Sequence, residues 1–308
     1  MKISVVVVTY NSLAFIDRCL EPLLGIPDSE IQIIVWDNNS SDGTFQYIRD
    51  RYPKVELRGG ADNRGFAAGN NAAFQYCEGE YVLLLNPDAF LKSFDQIRSL
   101  ASILTENPDA AAAGPMLVNP DGSHQVGDAG WSHTLLNAVG HTLFLHRIIP
   151  GVKSIYLTRP GLLLRELVDV DWICGACLLV RRDIIARVGG LKEEIFMYGE
   201  DVEWCERMRG IDRRVLYVPS LQVVHLQGGT QKSDETALFV SHKWIAALAK
   251  HVKASSPRWH FVALKFALIL GFLIRALLYF FSDLAHGRMS IHRTKAMCSY
   301  AVYSAGLD

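Results

Sequence analysis

The stretch ISVVVVTYNS, residues 3–12, decides how this chain folds. It is almost wholly apolar and rich in β-branched residues, and it runs straight into a polar turn. A strand with no polar face is covered on both sides, which is the usual surrounding of a parallel strand. Working outward, IQIIVWD (31–37) repeats the pattern, VELRGG (55–60) reads as a shorter strand, and YVLLLN (81–86) as a fourth. Between them lie helical patterns. One runs from about Leu13 to Leu24, with Ser12 as its N-cap and Leu13, Ile16, Leu20, Leu23 and Leu24 on the inner face. A second leaves the turn NNSSDGT and continues through Arg51, and a third carries Ala72 to Cys77. Strands alternating with helices over 90 residues predict an α/β fold with a doubly wound, mostly parallel sheet.

Ligands of such sheets sit outside the carboxyl ends of the strands. Three polar clusters fall there: Thr9, Tyr10 and Asn11; Asp37 and Asn39; Asn86 and Asp88. The first could cradle a nucleotide, Asp37 could accept from a base N–H or a ribose hydroxyl, and Arg64 could reach a base or a phosphate. Plainer roles compete, since Asn11 and Asn39 are ordinary turn formers and Asp37 could cap the element that follows. Gly65 and Gly69 in RGFAAG resemble a phosphate loop only weakly. With no G-x-G-x-x-G after the first strand, a nicotinamide dehydrogenase is not expected. In LLLNPDAFL (83–91), Asp88 follows Pro87 at a strand end, so its carboxylate can project into a cleft. One carboxylate with diphosphate oxygens and water suffices for Mg2+. Mn2+ would also accept an imidazole, and His225 is the candidate.

Farther on, residues 93–106 read as a helix and AAAAGPML (110–117) as a buried strand. The stretch 119–168 is irregular and yields no chemistry, although TLLNAVGHTLFLHRII within it has a helical pattern. VDWICGACLLVRRDIIARVGG reads as a strand, a turn at Arg181–Asp183 and a short helix ending at Gly189–Gly190. GEDVEWCERMR (199–209) is a helix opening near Asp201, whose carboxylate is placed either to cap the helix or to take a proton in a cleft. The helix N-terminus lowers its pKa, and the apolar IFMY (195–198) opposes that.

The 308-residue chain has a net charge of −1 that hides an asymmetry. Residues 1–241 carry 22 Lys and Arg against 30 Asp and Glu, whereas residues 242–308 carry nine against two. A basic tail on an acidic body points to an anionic surface as its partner. The tail holds WHFVALKFALILGFLIRALLYFF (259–281), long enough to span a bilayer but divided by Lys265 and Arg275. The preferred reading is a helix lying in the membrane interface, with Trp244, Trp259 and the basic residues at headgroup level. A helix packed on the body or in a homodimer interface, and a spanning helix, are the alternatives. The six cysteines lie scattered. Cys174 and Cys177 form a C-x-x-C with no second pair at zinc-ribbon spacing, so small buried residues are the expected role. The amino-terminal residues read as a strand rather than a signal peptide, which predicts a cytoplasmic body.

The blocks VVVVTYNS, VWDNNSSDGT, DNRGFAAGNNAAF, LLLNPDAFL, CGACLLVRRDIIARVGGLKEEIFMYGEDVEWCERMR and VVHLQGGT occur in the order and spacing of family 2 inverting glycosyltransferases. The chain most resembles the rhamnosyltransferase-like branch, over about residues 3–230. The resemblance implies a GT-A fold, a nucleoside diphosphate sugar donor and a divalent metal, Mg2+ or Mn2+. By position it implies Asp88 as the metal-binding aspartate and Asp201 as the catalytic base. Asp37 and Arg64 would be nucleotide contacts, and His225 a metal or diphosphate ligand. Asn86 departs from the form with two aspartates but matches an N-P-D variant. The implied acceptor is a glycan or a polyprenyl-diphosphate-linked glycan of cell-surface polysaccharide synthesis.

The expected organisation is therefore a GT-A domain over 1–235, with a nucleotide-sugar half (1–118) and an acceptor half (119–235). A helical, basic, membrane-interfacial extension (236–308) follows. The expected partners are the donor, the acceptor and an anionic membrane surface at the inner face of the cell membrane, with no nucleic acid. Two rival functions stay open: a nucleotidyltransferase on a similar sheet, and a catalytically silent subunit that binds sugar nucleotides.

Overall fold

The computed structural model describes residues 1–158, 160–195, 199–226, 242–255, 257–285 and 292–307. The chain begins with β1 (Ile3–Thr9), α1 (Ile16–Leu20), β2 (Ile31–Asp37), α2 (Thr44–Arg51), β3 (Glu56–Gly59) and α3 (Gly65–Phe74). There follow β4 (Tyr81–Leu85), β5 (Ala89–Phe90), α4 (Asp95–Glu106), β6 (Ala110–Val118) and β7 (Ala129–Gly130). Next are α5 (Leu135–Thr142), α6 (Leu145–Ile148), β8 (Val168–Val170), β9 (Trp172–Ile173), β10 (Cys177–Arg181) and α7 (Arg182–Val188). The chain ends with α8 (Glu200–Arg209), β11 (Arg214–His225), α9 (Lys243–Ser255), α10 (Arg258–Ala285) and α11 (His292–Ala305). It forms two compact units: Met1–Gly130 with Leu157–Gln231, and Trp131–Tyr156 with Lys232–Asp308.

In the first unit the sheet order is β3-β2-β1-β4-β10-β6-β11-β5, with β8 beside β11. The β3-β2-β1-β4 part is parallel, and Thr9 lies opposite Asp37 in the register. Val5–Val7, Ile34, Val35 and Leu83–Leu85 are buried, as expected of strands covered on both faces. The sheet as a whole is mixed, because β10 runs antiparallel to both β4 and β6. That reversal matters for position. Cys177, which begins β10, pairs with Leu85, which ends β4, so the turn before β10 meets the strand end that leads to Asp88. A shift in register between Val218 and Gln222 then lets the long β11 finish against β5, with His225 opposite Ala89.

Two local expectations differ from the structure. The first helix is shorter than 13–24: it begins at Ile16 with no side-chain cap, and Leu13 and Leu24 are exposed. The Ser12 carbonyl takes the first N–H groups of the turn, while the Ser12 hydroxyl is engaged with the Tyr10 backbone. Gly69 acts in packing: a Cβ there would stand 2.6 Å from Val8 Cγ1, so α3 can lie closely on β1 and β2 only with glycine at this position.

The second unit is helical. Ala138, Ile155, Ile245, Leu248, Val252, Leu264, Leu268, Phe272 and Ala301 form its core. Residues 131–156, grouped in the sequence with the acceptor half, pack here because α5 buries Ala138 among the tail helices. Gly271 lets α10 approach α5, where a Cβ would meet Thr142 Cγ2 at 2.2 Å. The charges that interrupt α10 turn inward. Lys265 Nζ donates to the Leu307 carbonyl at 2.6 Å, and Arg275 donates to the His141 carbonyl at 2.8 Å with its guanidinium over the Phe144 ring. This differs from the expectation of headgroup-level charges at those two positions: burial of the stems leaves main-chain carbonyls as their partners. Trp259 is exposed as expected; the side chain of Trp244 lies outside the described residues.

Candidate active site at the strand ends

The end of β1 meets the end of β2 through Thr9 and Asp37. Asp37 is buried, and its carboxylate accepts from Thr9 Oγ1 at 2.7 Å, Ser40 Oγ at 2.5 Å and the Ser40 N–H at 2.8 Å. Asn11 and Asn39 take positive φ, 51° and 60°, as turn-forming asparagines do. Asn11 Oδ1 accepts from the Ser41 N–H, so the turns after β1 and β2 are tied together, while Asn39 and the Tyr10 ring are exposed. Asn38, which the sequence did not single out, is buried and donates to the Gly65 carbonyl and to Asn63 Oδ1, fixing the loop that opens α3. Gly65 takes φ 89°, and its N–H is held by Asn63 Oδ1. Arg64 stands largely exposed and pairs with Glu193 at 2.7 Å.

The end of β4 is built differently. Asp88 and His225 are both buried, brought together by the β5–β11 ladder and by the Leu226 N–H, which donates to the Asp88 carbonyl. His225 Nε2 lies 3.4 Å from Asp88 Oδ1. On its other edge, His225 Nδ1 lies 2.6 Å from Gln125 Oε1. A carboxylate oxygen and an imidazole nitrogen aimed at one another form a donor set that suits a divalent cation such as Mg2+ or Mn2+. Among the described residues there is no cluster of three or more His, Cys, Asp or Glu side chains around a common point. Such an ion would therefore take its remaining ligands from diphosphate oxygens and water. Asn86 is fixed through its backbone, with its N–H donating to the Ala176 carbonyl at 2.9 Å.

The same turn reaches Asp201. The Gly175 N–H donates to Asp201 Oδ2 at 3.0 Å, and the Val202 N–H donates to Oδ1 at 2.8 Å. The 174–176 turn thus links Asp201, at the head of α8, to the Asn86–Asp88 segment. Glu200 is buried beside Asp201, and among the described residues its Oε2 has no hydrogen-bond partner. Burial, then the neighbouring Asp201 charge, push the Glu200 carboxyl up to about 8. Burial also raises Asp201 above the ordinary carboxylate value, and its backbone N–H partners oppose that rise. Desolvation therefore outweighs the helix N-terminus. Glu200 holds a proton near neutrality. Residues 196–198, most of the apolar segment expected to contribute, lie outside the described residues. All six cysteines are free. Cys19, Cys77, Cys177 and Cys205 are buried, Cys174 is partly buried, and Cys298 is exposed.

A mixed sheet with polar groups gathered at the carboxyl ends of its first strands, flanked by helices, defines a GT-A glycosyltransferase fold. The chain belongs to glycosyltransferase family 2, whose family model matches residues 4–189. It is 30% identical over 249 residues to the N-acetylglucosaminyl-diphospho-decaprenol L-rhamnosyltransferase of Mycobacterium tuberculosis, covering 77% of this chain and 80% of that one. It is 25% identical over 246 residues to a rhamnosyltransferase of Escherichia coli K12, covering 77% and 88%. Among solved structures it is similar to a mannosyltransferase from Pyrobaculum calidifontis in complex with GDP-Man and Mn2+. The TM-score is 0.57 at 18% identity, covering 99% of this chain and 86% of that one.

Proposed function

We propose that the protein is an inverting glycosyltransferase that moves a sugar, L-rhamnose in the first instance, from a nucleoside diphosphate donor to a polyprenyl-diphosphate-linked glycan. The observation that carries this reading is the pairing of Asp88 Oδ1 with His225 Nε2 at 3.4 Å, tied through the 174–176 turn to the half-buried Asp201. The two rhamnosyltransferase relatives supply the sugar class.

In this reading Asp201 accepts the acceptor hydroxyl proton as that oxygen attacks the anomeric carbon. Its two backbone N–H partners hold the carboxylate in place, and protonated Glu200 spares it a neighbouring negative charge. A divalent ion held by Asp88 and His225 would supply positive charge to the leaving diphosphate. Tyr10, Asn11, Asn39, Arg64, Gly65 and Asn86 line the strand-end face as donor contacts, and Asp37 with Thr9 keeps the first two turns in position. Arg64 exchanges Glu193 for a donor phosphate.

The second unit serves membrane attachment. Trp259, Val262, Phe266, Leu270, Leu273, Leu277 and Leu284 recur at helical spacing and are exposed, whereas Leu264, Leu268 and Phe272 of the opposite face are core. Among the described residues, α10 alone is long and apolar enough to cross a membrane, yet one side of it is already occupied by its own unit. A helix in that position lies in the interface, with a stripe about 40 Å long against the acyl chains. Replacing Phe266 and Leu273 together by Glu should abolish flotation with anionic liposomes. Flotation equal to wild type, or a dimer that dissociates on substitution, would reject the membrane role.

A screen of nucleoside diphosphate sugars for release of the nucleoside diphosphate, with and without Mg2+ or Mn2+, tests the activity. Diphosphate released from a nucleoside triphosphate would favour a nucleotidyltransferase. Donor binding without turnover on any lipid-linked acceptor would favour a silent binding subunit.

A further inference from the structure

The loop before β7, in a stretch where the sequence offered no chemistry, delivers Gln125 to the edge of His225. Gln125 is buried, and its amide orientation is decided by its neighbours. Nε2 donates to the His225 main-chain carbonyl at 3.0 Å and to Asn119 Oδ1 at 3.1 Å. A main-chain carbonyl can only accept, so the atom beside it is the nitrogen. The atom 2.6 Å from His225 Nδ1 is therefore Oε1. An amide oxygen also only accepts, so Nδ1 carries the hydrogen. In a neutral imidazole the other nitrogen, Nε2, is then left with a bare lone pair. That lone pair faces Asp88 Oδ1, a second acceptor, at 3.4 Å.

The loop is also anchored. Buried Asp128 accepts from Tyr217 Oη at 2.5 Å and the Leu117 N–H at 3.1 Å, and it pairs with His124 Nε2 at 2.9 Å. The Gln125 N–H donates to the Leu117 carbonyl at 2.9 Å.

We propose that Gln125 is a positioning residue that locks His225 in the Nδ1–H tautomer, so that Nε2 and the Asp88 carboxylate together form a two-point divalent cation site. The inference rests on the reading of Asp88 and His225 as cation ligands. In water a free imidazole favours the opposite tautomer, so Gln125 selects the form in which Nε2 can bind a cation. A hydrogen-bond partner behind a ligating histidine fixes both ring orientation and tautomer, and its loss typically weakens metal affinity by about 10–100-fold.

Long-range 1H–15N NMR of the full chain at pH 8, with His225→Gln to assign the signals, reads the tautomer without turnover. The expected spectrum has a protonated Nδ1 and a bare Nε2. Gln125→Leu shifts the population toward Nε2–H, whereas Gln125→Glu, which keeps an acceptor facing Nδ1, retains the wild-type form. Titration with Mn2+ alone, followed by EPR of the free ion and by paramagnetic broadening of the His225 ring signals, should show about 10–100-fold weaker binding in Gln125→Leu. A protonated Nε2 in the wild type overturns the assignment. Unchanged Mn2+ binding in folded Gln125→Leu, with binding lost in His225→Gln, removes Gln125 from the site but leaves the cation reading intact. Unchanged binding in His225→Gln overturns the cation site itself.

Discussion

Two strand ends of this molecule each carry a buried aspartate, and they are finished in opposite ways. At the end of β2, Asp37 is surrounded by donors: the Thr9 hydroxyl, the Ser40 hydroxyl and the Ser40 N–H. Beyond β4, Asp88 faces His225 Nε2 at 3.4 Å, and in the tautomer proposed above that nitrogen has no proton to give it. The first carboxylate takes three hydrogen bonds from its own chain and holds two turns together. In that tautomer the second is incomplete, and an incomplete pair of buried acceptors calls for a cation. Residue type is the same in both, and each stands at or just past the end of a parallel strand. What separates structure from chemistry is the number of donors that the fold brings to each.

The largest expected effect lies at a third carboxylate, Asp201, which sits next to protonated Glu200. Asp201→Asn should lower kcat by about 10²–10⁴-fold with the fold retained, as steady-state kinetics and circular dichroism would show. The acid limb of the wild-type pH–rate profile should lie above the ordinary carboxylate range, because burial raises the Asp201 pKa. A limb at the ordinary value would remove the desolvation argument.

The same substitution at the two strand ends sharpens the contrast directly. Asp88→Asn replaces one of two facing acceptors by an amide that can donate to His225 Nε2. The melting temperature should hold or rise while turnover falls by about 10²–10³-fold. Asp37→Asn sets an amide N–H against groups that now donate to Asp37, and should cost about 1–3 kcal/mol in denaturant unfolding. Equal melting temperatures for the two variants would break the comparison.

A last expected effect is a pH dependence of stability at Glu200. Its pKa rises from the ordinary 4.5 to about 8 on folding, so the native state keeps a proton that the unfolded chain loses. That contribution is complete below about pH 4.5 and is lost as pH climbs toward 8. Glu200→Gln cannot lose the proton. Its stability relative to wild type should therefore grow across that window, by on the order of 5 kcal/mol at most, and level off above it. A parallel pair of stability curves would mean that Glu200 is solvated and ionised.

Much of the first unit could be read from the chain because its strands are apolar on both faces. ISVVVV, IIVW and VLLL have few other stable arrangements, and β1, β2 and β4 fall within a residue or two of where the pattern puts them. The apolar spacing overextends the first helix because Leu13 and Leu24 continue it, yet both are exposed in the fold. Asp88, His225 and Asp201 could be named as candidates because carboxylates and imidazoles at strand and helix ends are few. Asn38 and Gln125 could not, because a neutral amide in a turn has no signature until its partners are known. The inward turn of Lys265 and Arg275 was equally hidden, since periodicity shows where a charge stands on a helix but not which carbonyl receives it.

By itself, then, the sequence determined the local order of strands and helices, the identities of the groups available at the strand ends, and the asymmetry of charge between body and tail. These are properties of composition and short-range spacing. Tertiary structure alone decided that β10 runs backwards and carries the 174–176 turn to Asn86, and that β11 brings His225 beside Asp88. It also decided that Gln125 leaves the useful nitrogen of His225 bare. The physical reason is that hydrogen-bond satisfaction is a property of pairs. Groups 100 and more residues apart become donors or orphans for one another only after the sheet is assembled.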